Sequence, residues 1–354
     1  MTLTVLSVAY PFAAVSPDTA GGAEQVLGAL DRALVERGHR SIVVACAGSE
    51  VAGRLVPVPR AMGNLDDAER RRAEERHRTA ILGALARWPI DVVHMHGIDF
   101  DSYMPQSGPP VLVTLHLPIE WYAPEALRPG RRNVWFNCVS ESQHRTAGDI
   151  PGLLPPVANG IDVELYARRP PKRDFALMLT RVCPEKGVHL AIEAAKRAGL
   201  PLLIGGDVFP YEAHRRYFEE EVVPRLDALR RFLGPVGLAR KRRLLAAARC
   251  VLIPSLAAET SSLVAREAAA AGTPVIAFAH GALVETVEHG RTGFLVDDVA
   301  GMVDAIGAVS AISRDACQEV ARMRFRVERM AEQYLAAYAR LAGSATAAVD
   351  RGAA

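Results

Sequence analysis

Short apolar runs alternate with helical patterns along nearly the whole chain. Residues 5–9, 41–45, 91–95, 111–115 and 137–139 read as strands, and residues 23–37 and 66–86 between them read as helices. A second series of strands follows at 175–180, 202–205, 251–254, 275–278 and 293–296. Strands alternating with helices predict parallel sheets covered by helices on both faces. Pro155, Pro156 and the run from Arg168 to Lys172 interrupt the pattern and place a linker near residues 166–173. The expected architecture is α/β, with two doubly wound, Rossmann-like domains facing a cleft, over residues 1–165 and 173–320. A last amphipathic segment, 325–341, carries Val327, Met330, Tyr334, Leu335, Tyr338 and Leu341 on one face. Residues 343–354 are small and polar and are expected to fray.

Composition narrows the function. The chain has 354 residues, half of them apolar, and a net charge of +2, which suits two domains with sizeable cores. The near balance of charge excludes a general nucleic-acid binder. The charge-dense stretch 66–78 reads as a solvated helix face. Cys46, Cys138, Cys183, Cys250 and Cys317 show no CxxC spacing and read as core residues of a reducing compartment. The apolar N-terminus has no Lys or Arg before Arg32, which fits a first strand better than a signal peptide. No apolar run is long enough for a membrane span. The expectation is a cytoplasmic protein, with peripheral membrane contact left open.

The most informative stretch is AETSSLVAREAAAAGTPVIAF, residues 258–278. A helix amino end suits a diphosphate, because its first N–H groups lack partners and its dipole is positive. Small residues at the turn allow close backbone approach. Glu259 lies before the helix and Glu267 in its second turn, and carboxylates accept sugar hydroxyls. Upstream, LMLTRVCPEKG places Arg181 and Lys186 at a strand's carboxyl end, where cations can neutralise a diphosphate. A glycine turn, 17–24, follows the first strand and contains Gly22. Neither GxGxxG nor GxxxxGK[ST] is present. His116 sits at a strand end, as do His94 and His96. Trp121 and Tyr122 fit either an acceptor wall, since aromatic faces stack on sugar rings, or core packing. Asp99 and Asp101 form a DxD to which no metal is assigned.

These motifs resemble the donor signature of the retaining glycosyltransferases of family 4, which have the GT-B fold. The resemblance covers about residues 3–341 and is strongest from 177 to 297. It implies that Glu267 binds ribose and Glu259 the transferred sugar. Arg181, Lys186 and the N–H groups of Ser262, Leu263 and Val264 would hold the diphosphate. Ser261 and Ser262 stand where the family has Phe and Gly. Val236 would lie by the base, Gly22 would approach the diphosphate or sugar, and His116 would support the sugar or acceptor. His94, Trp121 and Tyr122 would line the acceptor side, and Gly281 with Glu285 matches a further donor-side turn. The final helix would pack back on the N-terminal domain. The implied reaction moves a hexosyl group, with retention, from a nucleoside-diphosphate sugar to an acceptor hydroxyl. UDP is favoured, GDP comes next, and a small soluble acceptor is preferred. No cofactor beyond the donor and no metal is expected. Two alternatives stand: an epimerase of the same fold using His94, His116 and Asp99, and a non-catalytic nucleotide-sugar sensor.

Overall fold

A computed structural model of the chain describes residues 2–19, 21–60 and 66–352, with side chains through 343. It divides into two compact units: residues 1–160 together with the chain from Val327 onward, and residues 161–326. The first unit holds β1 (Thr4–Val8), β2 (Arg40–Cys46), β3 (Arg54–Val58), β4 (Val92–Met95), β5 (Val111–Leu115) and β6 (Val134–Cys138). The second holds β7 (Ala176–Leu179), β8 (Leu202–Gly205), β9 (Arg230–Phe232), β10 (Cys250–Ile253), β11 (Val275–Phe278) and β12 (Gly293–Val296). Every pairing between these strands is parallel.

The sheet orders are β3-β2-β1-β4-β5-β6 and β12-β11-β10-β7-β8-β9. Numbered within its own unit, each is the doubly wound order 3-2-1-4-5-6. Each therefore has a switch point where strand order reverses, at β1/β4 and at β7/β10, and ligands bind outside the carboxyl ends of the strands there. The inner strands are Val-, Leu- and Ile-rich and almost wholly buried, as strands covered on both faces must be. β3 and β9 escape the sequence pattern because both are edge strands. β3 is half-exposed and contains Pro57, which is tolerated at an edge. β9 is three residues long and begins with two arginines.

The unit boundary falls at Gly160 and Ile161, ahead of the 166–173 stretch, so the short helix Val163–Tyr166 belongs to the second unit. The chain leaves that unit between Arg326 and Val327. The last helix, Val327–Gly352, runs well past Leu341; its alanine-rich extension favours helix over the fraying expected there. Tyr334 and Tyr338 on this helix are fully buried in the first unit. The charged helix Asp67–Arg87 opens with the Asp66 carboxylate accepting the Glu69 N–H at 2.8 Å. Its Arg72 and Arg76 pair with Glu69 across neighbouring turns, with Arg72 exposed and Glu69 and Arg76 half-buried.

Candidate active site

In the second unit the loops after β7 and β10 meet at the switch point. Gly187 sits at φ +62°, and a Cβ there would lie 2.2 Å from the Pro254 carbonyl oxygen. Only glycine permits that approach together with that backbone angle. The Leu256 N–H donates to the Glu185 carbonyl at 2.8 Å, joining the two loops. Lys186 Nζ then lies 2.6 Å from Glu259 Oε1, which also accepts the Ser255 hydroxyl at 2.6 Å. Burial pushes the Glu259 carboxyl up, but the Lys186 charge and hydrogen bond outweigh it and hold it below its ordinary value. The backbone of Glu259 is fixed as well. Its carbonyl accepts the Ala282 N–H at 2.6 Å, and a Cβ on Gly281 would come within 2.4 Å of the same oxygen. Gly281 is thus needed to hold Glu259, which gives this turn a physical role.

The helix Leu263–Ala270 begins immediately after Ser262, which has φ +50°. This left-handed conformation costs a residue with a Cβ roughly 1 kcal/mol or more. It explains why the resembling family places glycine here. The Ser261 side chain is buried and its Oγ has no hydrogen-bond partner. Glu267 is 1% exposed. Its Oε1 accepts the Tyr166 hydroxyl at 2.7 Å and Lys241 Nζ at 2.6 Å, whereas its Oε2 is buried and unpartnered. The Arg181 guanidinium lies 5.4 Å over the Phe209 ring, and its Nε is likewise buried without an acceptor. Val236 packs so closely on Gly205 that a Cβ there would meet Val236 Cγ2 at 2.6 Å. The neighbouring Gly234 carbonyl accepts the Gly206 N–H at 2.9 Å. The loops that carry Arg181, Lys186 and Glu259, and the helix that carries Glu267, are therefore assembled at one end of one sheet. Three sequence-selected residues there keep a buried polar atom in reserve.

The first unit treats its strand-end residues differently. Gly22 opens the helix Gly22–Glu36 and is exposed, with Gly21 extended before it; Ala20 of the same turn lies outside the described residues. His94 is fully buried, and both ring nitrogens are engaged: Nδ1 with the Tyr338 hydroxyl at 2.6 Å and Nε2 with Thr114 Oγ1 at 2.7 Å. Thr114 donates its one proton to Asn137 Oδ1 at 2.8 Å. His94 therefore donates from Nε2 and accepts at Nδ1. His94 consequently packs the last helix onto the sheet, with no ring atom left open to line a surface in this structure. Tyr122 takes the core-packing alternative. It is 4% exposed within the core, and its hydroxyl accepts the Leu117 N–H at 3.2 Å. Trp121 is 41% exposed. His116 is half-buried and faces His96 Nδ1 through its Nε2 at 3.0 Å, and burial brings its pKa down to about 3. Asp99 accepts the Tyr103 hydroxyl at 2.7 Å, and burial pushes its carboxyl up to about 6.

Ser255, Tyr166 and Lys241 are participants that the sequence did not single out. Lys241 lies in a basic helix, Leu238–Ala247, that reads as ordinary surface. Tyr166 lies 101 positions from its partner. Only Ser255, four residues before Glu259, carries a local signal.

Comparison with known proteins bears on the family and the fold. Residues 173–311 match the model for glycosyl transferases group 1, and residues 20–147 match that for glycosyltransferase family 4. The chain belongs to glycosyltransferase family 4 and has the GT-B fold. A D-inositol 3-phosphate glycosyltransferase of Nocardioides sp. is 41% identical over 120 residues, 31% of this chain and 25% of that protein. The match thus spans a quarter of that relative's length. A phosphatidyl-myo-inositol mannosyltransferase of Mycobacterium tuberculosis is 26% identical over 92% of this chain and 95% of its own. The crystal structure of AviGT4, a glycosyltransferase involved in avilamycin A biosynthesis, superposes with a TM-score of 0.74. It has 26% identity and covers 97% of this chain and 98% of that one. Among the described residues no helix is long and apolar enough to cross a membrane.

Proposed function

We propose that this protein transfers a hexosyl group, with retention, from a nucleoside-diphosphate sugar to an acceptor hydroxyl. UDP is the favoured nucleotide, GDP the next, and a small soluble molecule the favoured acceptor. One observation carries the reading: Arg181 Nε, Ser261 Oγ and Glu267 Oε2 are buried and unpartnered on the switch-point loops and the helix that follows them. Buried polar atoms are normally satisfied, and these offer a donor, a hydroxyl and a carboxylate acceptor. That set suits an anion beside sugar hydroxyls. In this reading Glu267 Oε2 takes a ribose hydroxyl while Lys241 and Tyr166 hold its other oxygen. Lys186 and Arg181, with the amino end of Leu263–Ala270, stabilise the departing diphosphate. No divalent metal on the diphosphate is required. Glu259, freed from Lys186 as the phosphate engages that lysine, is available to a sugar hydroxyl. The epimerase reading loses His94 as an acid or base, because both its ring nitrogens are taken by Tyr338 and Thr114, and rests on His116 and Asp99.

Thermal shift against UDP, GDP and ADP, free and as sugars, tests this directly, because a ligand that binds the folded state raises its midpoint. A rise with one nucleotide series, followed by transfer to an added acceptor at a rate indifferent to Mg²⁺ and Mn²⁺, is the expected result. The absence of any shift would overturn the reading. Sugar conversion without an acceptor would favour the epimerase.

A further inference from the structure

Beside the donor residues lies a cluster that the proposed transfer does not use. Cys183 Sγ, a carboxylate oxygen of Glu185 and a ring nitrogen of His214 lie within 4.8 Å of one another. Cys183 and Glu185 flank Pro184 in the loop after β7, and His214 sits on the helix Glu212–Tyr217. Cys183 is 1% exposed. Glu185 Oε2 and His214 Nδ1 are both buried without a hydrogen-bond partner. The Cys183 thiol donates to the Arg181 carbonyl oxygen at 3.8 Å, which leaves Glu185 Oε2 and the imidazole nitrogen unsatisfied, and buried polar atoms in that state are costly. A single cation would satisfy both and take the thiolate as its third ligand. Thiolate, imidazole and carboxylate form a borderline-soft donor set of the type that selects zinc over magnesium or calcium. The charges also balance: one thiolate and one carboxylate neutralise a divalent ion, so the filled site adds no net charge beside Arg181.

We propose that Cys183, Glu185 and His214 bind one Zn²⁺ ion, with a fourth position open to water. The thiol proton passes to solvent as the ion binds. The ion would tie the loop that carries Arg181 and Lys186 to the helix Glu212–Tyr217. Through the Glu185 carbonyl, which accepts the Leu256 N–H, the same loop is already joined to the segment that leads to Glu259. Zinc here is a positioning element and touches neither diphosphate nor sugar. The inference is independent of the proposed glycosyl transfer.

The test uses the full chain, stripped with chelator, reloaded with Zn²⁺ and gel-filtered before metal analysis. One zinc per chain is expected, with a rise in thermal midpoint that Mg²⁺ does not reproduce. Cys183→Ala and His214→Ala should each lose the metal and the shift. Cys317→Ala, which removes another buried thiol, should keep both. Loading with Co²⁺ instead should give a thiolate-to-metal absorption band in the near ultraviolet. This reading needs only the unaltered protein, so a variant that fails to fold does not leave the question open. Substoichiometric zinc, no thiolate band, or equal retention by folded Cys183→Ala would each overturn the site.

Discussion

The two sheets share one strand order and differ in what stands at their carboxyl ends. At the end of the first sheet, His94, Thr114, Asn137, Tyr334 and Tyr338 form a closed network in which one group's donor meets another's acceptor. At the end of the second, Lys186 pairs with Glu259 and Lys241 with Glu267, yet Arg181, Ser261 and Glu267 keep unpartnered atoms. The same fold therefore closes this five-residue network in one half, where Ser41 Oγ, both His77 nitrogens and His96 Nε2 nevertheless stay unpartnered, and leaves three unpartnered atoms among the candidate donor residues of the other. Fold alone does not separate these outcomes. Hydrogen-bond satisfaction read together with position does: the His94 network is completed and packs the last helix, whereas the open atoms of Arg181, Ser261 and Glu267 gather on the switch-point loops and the helix that follows them.

That contrast can be broken most sharply at the cations. Arg181→Ala or Lys186→Ala should lower turnover by roughly two to three orders of magnitude, the scale of lost transition-state charge stabilisation; Arg181→Ala should leave the unfolding midpoint nearly unchanged, whereas Lys186→Ala also strands the Glu259 carboxylate and should lower it. Near-normal turnover in both variants would remove the second sheet's claim to the chemistry. The opposite signature is expected in the first sheet. His94→Ala should cost about 2–4 kcal/mol of stability, because it opens a cavity and orphans Tyr338 and Thr114. A loss of turnover at unchanged stability would instead place chemistry among these histidines.

Acid should probe the buried histidines of the first unit. His94 and His77 are fully buried, and burial lowers both pKa values, that of His77 to about 4. Above the unfolded value of about 6.5 neither contributes to the pH dependence. Below it the unfolded chain takes up protons that the folded chain refuses, so stability falls by about 1.4 kcal/mol per pH unit for each histidine. For His77 the fall ends near pH 4. Urea midpoints between pH 7 and 5 should show this slope, and His77→Gln should reduce it. An unchanged slope would mean that the folded protein protonates the ring.

The two glutamates sharpen the comparison within the second sheet. Glu267→Gln should weaken both free nucleoside diphosphate and the intact donor. Glu259→Gln should spare the free nucleotide while weakening the donor or slowing its reaction. Either loss should be roughly tenfold or more, since a hydrogen bond to a charged group is worth about 1.5–3 kcal/mol. Calorimetry with both ligands decides it, and equal loss of free nucleotide in the two variants would end the division of labour. The smallest effect concerns the turn itself. Ser262→Gly relieves a φ of +50° and should stabilise the protein by about 0.5–1 kcal/mol. A destabilised variant would show that the Ser262 side chain is needed where it stands.

How much of this was legible in the chain depends on the range over which each interaction acts. The strand–helix alternation, the cation pair at Arg181 and Lys186, and the spacing of Glu259 and Glu267 are local patterns, and with them came the fold class and the candidates for the donor side. Ser262 is equally local: its place before Leu263 marks a turn that prefers glycine. The edge strands were missed because Pro57 and the Arg230–Arg231 pair hide a short strand inside a polar pattern. Contacts that join distant positions were out of reach. Tyr338 lies 244 positions from His94, and Tyr166 lies 101 from Glu267. A strand-end histidine looks the same in sequence whether its ring nitrogens face solvent or are capped by a tyrosine from the last helix. Only the packed structure shows that His94 and Tyr122 are closed within the first unit. It also shows that one oxygen of Glu267 is held by Lys241 and Tyr166 while the other waits. Hydrogen-bond saturation belongs to the assembled neighbourhood, and no residue's identity or spacing records it.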